Sequence, residues 1–350
     1  MTNGGELYGE VTREISPIVN EFVQDRIRAL KLPETIEGTV LALPQKRAGK
    51  NLMRPTLSYL VHRNLGGNTP LEILTPTLAI SELNNMYCYL DNWILDNKNN
   101  VQEDIHKIRQ ITIASQILRE ITQATLENAE IPEEQKRRIS ERLAETTIRC
   151  YEGQALDLEM TVDKIAKYPT AESFLTAYMR KSELQSGHLY GLSGEIGAIT
   201  ASAPNHQVAL ARNLCEGLGK GIHISNDLGD FALFQETDGS FKPYQDQLAD
   251  IINGRMTFPA YLVLTQGTKE EREALQRLVN NREASLEEKR AASKAIITSG
   301  AYEETKKILN TLYHEFKKQV HQLPKNPERN ALASVGEIIR YNKYLKALKS

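Results

Sequence analysis

Cysteine, tryptophan and long apolar runs are all scarce in this sequence. Its 350 residues include one tryptophan and three cysteines, Cys88, Cys150 and Cys215, an odd number without C-x-x-C spacing. This pattern indicates neither a disulfide framework nor a cysteine zinc site, and it favours a reducing compartment. No apolar run approaches the roughly 18 residues of a membrane span, and the polar N-terminus has no signal-peptide core. We therefore expect a cytoplasmic protein without an integral membrane segment.

An excess of charge of one sign is also missing. The chain has 43 Lys and Arg against 45 Asp and Glu, a net charge of −2. Proteins that bind nucleic acid draw most of their affinity from basic side chains that contact phosphates. No nucleic-acid partner is therefore expected.

Strand-like alternation of apolar and polar residues is rare, whereas apolar residues at three- and four-residue spacing are common. This periodicity predicts an all-α protein. One apolar stripe is interpreted as core, and a further helix is expected to begin near Pro132. No internal repeat or long linker interrupts the chain, which favours a single domain over residues 1–350. The stripe consists of Ile105, Ile108, Ile111, Ile113, Ile117, Leu118 and Ile121.

Two acidic segments are candidates for metal binding. In the segment Gly219–Asp230, helical spacing places Asn226, Asp227 and Asp230 on one face. Oxygen ligands on one face suit Mg²⁺, which usually keeps several waters and is completed by substrate phosphates. A solvated helix end with ordinary surface carboxylates is the alternative.

The second candidate lies upstream, in the segment Asn84–Asp96. Asn92 and Asp96 share a helical face there, and Asp91 flanks it. Two such faces could meet across a helical bundle and bind cations between them. A polar helix terminus that runs into Lys98–Asn100 is the alternative interpretation.

Six short elements follow one another along the chain. They are Gly49–Pro55 (G-K-x-x-R-P), Glu82–Asp96 (first aspartate-rich helix), Gly153–Asp157 (G-Q-x-x-D), Tyr178–Leu184 (lysine-threonine element), Asn226–Asp230 (second aspartate-rich motif) and Asp250–Pro259 (D-x-x-x-x-[KR]-x-T-x-P). The same elements occur in the same order in the trans-isoprenyl diphosphate synthase (polyprenyl synthetase) family, which this sequence resembles. The resemblance implies a class I isoprenoid synthase bundle around a deep central cavity, a homodimer, Mg²⁺ and a prenyl diphosphate substrate.

The resemblance also implies roles for individual residues. Loss of diphosphate from an allylic substrate leaves a carbocation, so the site must neutralise the anion and shield the cation from water. The implied metal ligands are Asp91, Asn92, Asp96, Asn226, Asp227 and Asp230. The implied diphosphate-binding residues are Lys50, Arg54, Arg180, Lys181, His223 and Arg255, of which Lys181 and Arg255, with Asp227, are implied to be catalytic. The implied cavity residues are Tyr87, Tyr89, Gln154 and Asp157.

The sequence departs from the family pattern mainly around the first motif. The family's D-D-x-x-D falls on Asn92, Trp93 and Asp96, which leaves one carboxylate in place of three. Asn97–Asn100 stands where the family usually has an R-R-G stretch that grips isopentenyl diphosphate. The spacing from Lys50 to Arg54 is one residue longer than usual, and His223 replaces a glutamine. These departures predict slow or absent elongation with isopentenyl diphosphate.

Three functions are compatible with this pattern. The first is ionisation of an allylic diphosphate with prenyl transfer to an acceptor that need not be isopentenyl diphosphate. The second is cyclisation, as in class I terpene synthases, although Asp230 and Phe234 replace the hydroxyl and glutamate of their N-D-x-x-[ST]-x-x-x-E motif. The third is a non-catalytic subunit that regulates an active prenyl diphosphate synthase.

Overall fold

Helices make up nearly all regular structure in the computed structural model, which describes residues 4–232, 234–235, 241–242 and 248–340. Within these ranges, the β structure is one antiparallel pair of two-residue strands, β1 (Phe234–Gln235) and β2 (Phe241–Lys242). The predicted all-α class is therefore confirmed.

Short connections join most of the helices. The first are α1 (Gly4–Arg28), α2 (Glu34–Arg47), α3 (Met53–Asn64), α4 (Leu71–Leu95), α5 (Ile105–Glu127), α6 (Glu133–Glu159), α7 (Ala171–Ser182) and α8 (His188–Thr200). The others are α9 (Asn205–Gly229), α10 (Ala249–Ile252), α11 (Phe258–Gln266), α12 (Lys269–Gln276), α13 (Leu286–Thr298), α14 (Ala301–Val320), α15 (Pro327–Val335) and α16 (Glu337–Arg340). Short 3₁₀ turns span Lys98–Glu103 and Val162–Lys167, and a π-helical turn spans Glu183–Gly187.

The start of several helices follows from the local sequence. The Asp104 carboxylate accepts hydrogen bonds from the amides of His106 and Lys107, which caps α5. Thr170 forms a capping box with Ser173 at the start of α7. Such caps satisfy amides that have no partner within the helix. α6 begins at Glu133, directly after Pro132, as predicted.

The predicted apolar stripe on α5 is only partly core. Ile111, Leu118 and Ile121 are buried, but Ile105 and Ile113 are 53% and 47% exposed. Ile113 lies about 200° around the helix from Ile111, so both cannot face the same neighbour. Small and polar residues complete the buried face instead: Ala114, Ser115, Thr122 and Thr125. The interpretation of the whole stripe as core was therefore wrong for Ile105 and Ile113.

The chain divides into two compact units. Unit 1 comprises the described residues of 1–150, 187–216 and 316–335. In this unit α4 packs against α5, α3 against α8, and α1 against α15. A Cβ on Gly197 of α8 would overlap the carbonyl oxygen of Ser58 on α3, so glycine permits this close approach.

Unit 2 comprises the described residues of 151–186, 217–315 and 336–350. Its α7 and α11 pack through aromatic rings, and Phe174 stacks on Tyr261 with 4.3 Å between ring centroids. Tyr178 and Phe258 extend the stack. This aromatic core holds α7 in place. The single domain over 1–350 stays a prediction.

No helix in the part of the chain that the structure describes is long and apolar enough to span a membrane.

Candidate active site

Two cations and one carboxylate form a buried cluster in unit 2. The Lys181 ammonium donates to Asp157 Oδ1 at 2.8 Å, and the Arg255 guanidinium donates to Asp157 Oδ2. All three side chains are less than a tenth exposed. Ions in such surroundings interact strongly because little water screens them. The structure thus brings together three residues that were predicted for the site from three separate elements.

The G-Q-x-x-D element on α6 has a clear structural basis. A Cβ on Gly153 would lie 2.7 Å from Leu184 Cβ and 2.8 Å from the backbone nitrogen of Gln185, both in the π-helical turn. Glycine therefore lets this turn approach α6 closely. The side-chain amide of Gln185 donates to Gln154 Oε1 at 2.7 Å. Asp157 lies one turn further along α6 and contacts Lys181. Gln154 and Asp157 are both buried.

Arg255 is positioned by backbone pairing between a loop and the end of α6. The backbone amide of Val162 donates to the carbonyl oxygen of Gly254. The backbone amide of Met256 donates to the carbonyl oxygen of Met160. Gly254 adopts a φ of +74°, a conformation that glycine favours. In the D-x-x-x-x-[KR]-x-T-x-P element, the loop between α10 and α11 thus delivers the arginine to Asp157.

A hydrogen bond connects the lysine element to the second aspartate-rich motif. The Tyr178 hydroxyl donates to Asp227 Oδ2 at 2.7 Å, and the Lys181 ammonium lies 5.2 Å from the Tyr178 ring centroid. Burial, followed by the nearby Asp227 carboxylate, raises the pKa of Tyr178 well above its ordinary value. Tyr178 therefore stays protonated and continues to donate to Asp227. Asp227 itself is buried.

His223 lies beside the same carboxylate. Its Nε2 is 3.7 Å from Asp227 Oδ2, which is beyond hydrogen-bonding distance. Burial lowers the pKa of His223, against the opposing effect of Asp227, so the imidazole is neutral at neutral pH. A neutral ring can still donate a hydrogen bond to an anion.

Carboxylates crowd together at the end of α9. The pKa of Asp230 is raised well above its ordinary value. Burial is the largest cause, and the nearby carboxylates of Asp250 and Asp227 raise it further. Crowded carboxylates favour either protonation or a compensating cation. Hard oxygen donors of this kind fit Mg²⁺. Asp250 was not among the predicted ligands, although it begins the D-x-x-x-x-[KR] element.

The three predicted ligands of the second motif differ in exposure. Asp227 is buried, Asp230 is half-buried, and Asn226 is exposed. Asp230 follows the last residue of α9, but its amide donates to the carbonyl oxygen of Asn226 at 2.8 Å, which keeps the helical spacing. Among the described residues, no three His, Cys, Asp or Glu side chains converge as a metal-binding group. Mg²⁺ needs only one or two protein carboxylates when a substrate supplies phosphate oxygens.

The first acidic segment lies at the end of α4, in unit 1. Asp91, Asn92 and Asp96 are all half-buried, and the Asp96 amide donates to the carbonyl oxygen of Asn92 at 2.8 Å. Trp93 lies beside Tyr89, with 5.8 Å between ring centroids. The predicted meeting of the two acidic segments across a central cavity stays a prediction. The side chains of Lys98–Asn100 lie outside the described part of the structure.

The two basic residues predicted from the Gly49–Pro55 element have different surroundings in unit 1. Lys50 is exposed in the turn before α3. The Arg54 guanidinium lies 4.2 Å from the centroid of the Tyr190 ring, and its Nε is buried without a hydrogen-bond partner among the described residues. A buried donor without a partner costs free energy and is well suited to an incoming acceptor. Arg54 therefore fits an anion-binding role better than Lys50.

Sequence reasoning missed Arg47, at the end of α2. It pairs with the buried Glu82 of α4, and burial, with the nearby Arg54, lowers its pKa to about 10. Two guanidiniums thus lie near each other, and Glu82 pairs with that of Arg47. The signal available in the sequence was weak, because Arg47 precedes the recognisable element by two residues.

The last predicted residues are Arg180, Tyr87 and Tyr89, whose surroundings are as follows. Arg180 is exposed and forms a surface pair with Glu183 at 2.7 Å. Tyr87 is buried, and its hydroxyl lies 2.6 Å from Thr147 Oγ1, whereas Tyr89 is half-buried. The structure thus buries Tyr87 more deeply than Tyr89.

Comparison with known proteins identifies the family. The polyprenyl synthetase family model matches residues 104–296, more than half of the chain. The chain belongs to the polyprenyl synthetase family. The matched residues include the polyprenyl synthetase elements around Asp157, Lys181, Asp227 and Arg255, but they begin after the first aspartate-rich segment.

One relative and two crystal structures are similar to this chain at low sequence identity. A geranylgeranyl diphosphate synthase of Methanosarcina mazei is 22% identical over 202 residues, which span 58% of this chain and just over half, 57%, of that relative. The crystal structure of a geranylgeranyl pyrophosphate synthetase from Pyrococcus horikoshii has a TM-score of 0.74 at 20% identity and covers 96% of this chain and 98% of that one. A decaprenyl diphosphate synthase structure from Rhodobacter capsulatus has a TM-score of 0.75 at 19% identity and covers 97% and 99%. These structures confirm the class I isoprenoid synthase fold.

Proposed function

We propose that this protein ionises an allylic prenyl diphosphate with the help of Mg²⁺ and transfers the prenyl group to an acceptor other than isopentenyl diphosphate. The observation that carries this proposal is the buried cluster of Asp157, Lys181 and Arg255 beside Tyr178 and Asp227. Relatives named as geranylgeranyl and decaprenyl diphosphate synthases support prenyl transfer as the reaction type.

The cation cluster fits a leaving diphosphate. Asp157 contacts both cations and so holds them close to each other. An anion that develops nearby would be stabilised by positive groups that are already in place, and such preorganisation is a large part of enzymatic catalysis. Lys181 and Arg255 would hold the departing diphosphate, and Asp157 would position both side chains.

The carboxylates at the end of α9 fit the metal. Mg²⁺ bound there would neutralise the diphosphate and orient it as it leaves. Asp227 and Asp230 would hold it, with Asp227 fixed by the Tyr178 hydroxyl. The neutral His223 would donate to a diphosphate oxygen.

The altered first motif argues for a different acceptor. Asn92 can ligate Mg²⁺ through its carbonyl oxygen but brings no charge, and Trp93 has no oxygen ligand. No R-R-G stretch follows to grip a second diphosphate. An acceptor that carries no diphosphate would not need either feature.

The test is diphosphate release from geranyl or farnesyl diphosphate by the purified protein with Mg²⁺ and without isopentenyl diphosphate. We expect release that a metal chelator abolishes. Products are identified by mass spectrometry in the presence of candidate acceptors. Predominantly cyclic hydrocarbons would favour a terpene cyclase, and no release with any substrate or acceptor would favour a non-catalytic subunit.

A further inference from the structure

The hydroxyl group of Thr257 is buried and has no hydrogen-bond partner among the described residues. Thr257 lies in the Asp250–Pro259 element and is 2% exposed. Buried hydroxyl groups in folded proteins are nearly always paired, because an unpaired one has lost its hydrogen bonds to water and gained none. A ligand that supplies the partner would account for this hydroxyl.

Thr257 is the N-cap residue of α11, yet its side chain makes no capping hydrogen bond to the first turn of that helix, all of which is described. A threonine at this position usually accepts a hydrogen bond from the amide of the second or third helical residue. The second residue of α11 is Pro259, which has no N–H group. The start of the helix also carries the positive end of its dipole, which attracts anions. An anion bound there could accept a hydrogen bond from the Thr257 hydroxyl.

The backbone places Thr257 on the same side of the loop as Arg255. Antiparallel pairing holds Arg255 opposite Thr161, and Thr257 is also extended, with φ −89° and ψ 164°. Along an extended backbone, side chains two residues apart point to the same side. On that side the Arg255 guanidinium contacts Asp157, which also contacts Lys181. The Thr257 hydroxyl therefore lies on the side of the loop that carries the cation cluster.

The residue after Thr257 connects it to the second aspartate-rich motif. The Phe258 ring packs against the Tyr178 ring with 6.1 Å between centroids, and the Tyr178 hydroxyl donates to Asp227. All of these residues belong to unit 2. Thr257 thus adjoins both the arginine proposed to hold the diphosphate and the aromatic stack that fixes a proposed metal ligand.

We propose that the Thr257 hydroxyl, at the start of α11, donates a hydrogen bond to the diphosphate group of the allylic substrate. This inference rests on the proposed function. Lys181 and Arg255 supply positive charge, and the hydroxyl adds a directed neutral donor. The hydrogen bond strengthens as negative charge develops on the leaving diphosphate, so it favours ionisation. Without a ligand the same hydroxyl destabilises the fold, so its removal should weaken binding but not stability.

Thr257→Val tests the proposal, because valine keeps the branched shape and removes the hydroxyl. Thr125→Val is the matched control, since Thr125 on α5 is also 2% exposed and its hydroxyl also has no partner among the described residues. The probe is inorganic pyrophosphate with Mg²⁺, and calorimetric titration measures its dissociation constant. We expect binding to weaken by about tenfold or more in Thr257→Val and to stay unchanged in Thr125→Val. Thr257→Ser keeps the hydroxyl and should bind like the wild type.

Chemical denaturation without pyrophosphate separates a binding role from a structural one. Thr257→Val should unfold at the same or a higher denaturant concentration than the wild type, because its hydroxyl has no partner to lose. A clearly lower midpoint would overturn the proposal, since it would show that the hydroxyl stabilises the folded protein by itself.

The remaining outcomes also decide between the claims. If wild-type protein binds pyrophosphate and Thr257→Val binds it equally tightly, this inference fails and the proposed function stands. The inference also fails if Thr125→Val loses as much affinity as Thr257→Val, or if Thr257→Ser does not retain binding. If the wild type binds no pyrophosphate with Mg²⁺, the diphosphate site of the proposed function fails together with this inference.

Discussion

The two acidic segments end in the same way but have different surroundings. At the end of α4 the Asp96 amide closes the last turn onto Asn92, and at the end of α9 the Asp230 amide closes it onto Asn226, both at 2.8 Å. In the second segment a buried carboxylate, Asp227, accepts a hydrogen bond from a buried tyrosine. In the first segment the residue after the asparagine is Trp93, which lines an apolar groove.

In the proposed reaction, this contrast separates ionisation from transfer. The second segment lies in the stretch that matches the family model, as does the buried cation cluster that we propose to hold the leaving diphosphate. The first segment lies outside that stretch and has exchanged charge for aromatic surface. Within our proposal, ionisation keeps the family's chemistry, while the acceptor has changed.

The largest effect is expected from Asp227→Ala. The substitution removes a buried carboxylate proposed to hold Mg²⁺ and leaves the Tyr178 hydroxyl without its acceptor. Diphosphate release should fall by about 100-fold or more. Steady-state release of diphosphate measures this, with Asp25→Ala, an exposed carboxylate on α1, as the control. Equal loss in both variants would argue against a special role for Asp227.

Arg255→Ala should have the next largest effect. It removes a charge-assisted contact worth roughly 1.5–3 kcal/mol, or about 10- to 100-fold in kcat/KM for the allylic diphosphate. Arg180→Ala is the matched control, since that arginine is exposed and pairs with Glu183. Thermal unfolding of both variants should show whether the loss reflects folding. Unchanged kinetics in folded Arg255→Ala would assign Arg255 to structure alone.

Alanine substitution at one glycine in each unit should change the free energy of unfolding in opposite ways or by different amounts. Gly153→Ala should lower the free energy of unfolding by about 1–3 kcal/mol, because the added methyl group overlaps the π-helical turn. Gly38→Ala should leave it unchanged or raise it by up to about 1 kcal/mol, because alanine favours helix. Chemical denaturation measures both. Equal stability of the two variants would show that the turn yields to the methyl group without cost.

The smallest effects are expected in the first segment. Asp96→Ala should slow diphosphate release by less than about tenfold, since a motif with one carboxylate in place of three is expected to hold metal weakly. Asn92→Asp should reduce the Mg²⁺ concentration needed for half-maximal release, because it restores a charged ligand. Mg²⁺ titrations of both variants measure this. A loss in Asp96→Ala as large as that in Asp227→Ala would remove the contrast between the segments.

Much of the site could be predicted from sequence because its elements are local. Helical spacing located both acidic segments, and motif order placed Asp157, Lys181 and Arg255 in one site before any contact was known. The contacts themselves depend on tertiary packing. That both cations share Asp157, and that Tyr178 fixes Asp227, follows from the close approach at Gly153 and the loop pairing at Gly254.

Three further features depend on how the helices pack together, which the periodicity of the sequence does not show. The stripe on α5 contained more isoleucines than one helical face can hold, so Ile105 and Ile113 lie outside the core. Arg47 is held by its contact with Glu82, which is 35 positions away in sequence. The groove at Trp93 requires three helices to be placed together, and the sequence offered only an unusual residue in a metal motif.

The most direct test of the account compares two rates in one sample. The purified protein is incubated with Mg²⁺, farnesyl diphosphate and labelled isopentenyl diphosphate, and both diphosphate release and incorporation of label into longer prenyl diphosphates are followed. We predict release with little or no incorporation of label. Incorporation that matches release one for one would contradict the account, because the altered first segment would then still support ordinary chain elongation.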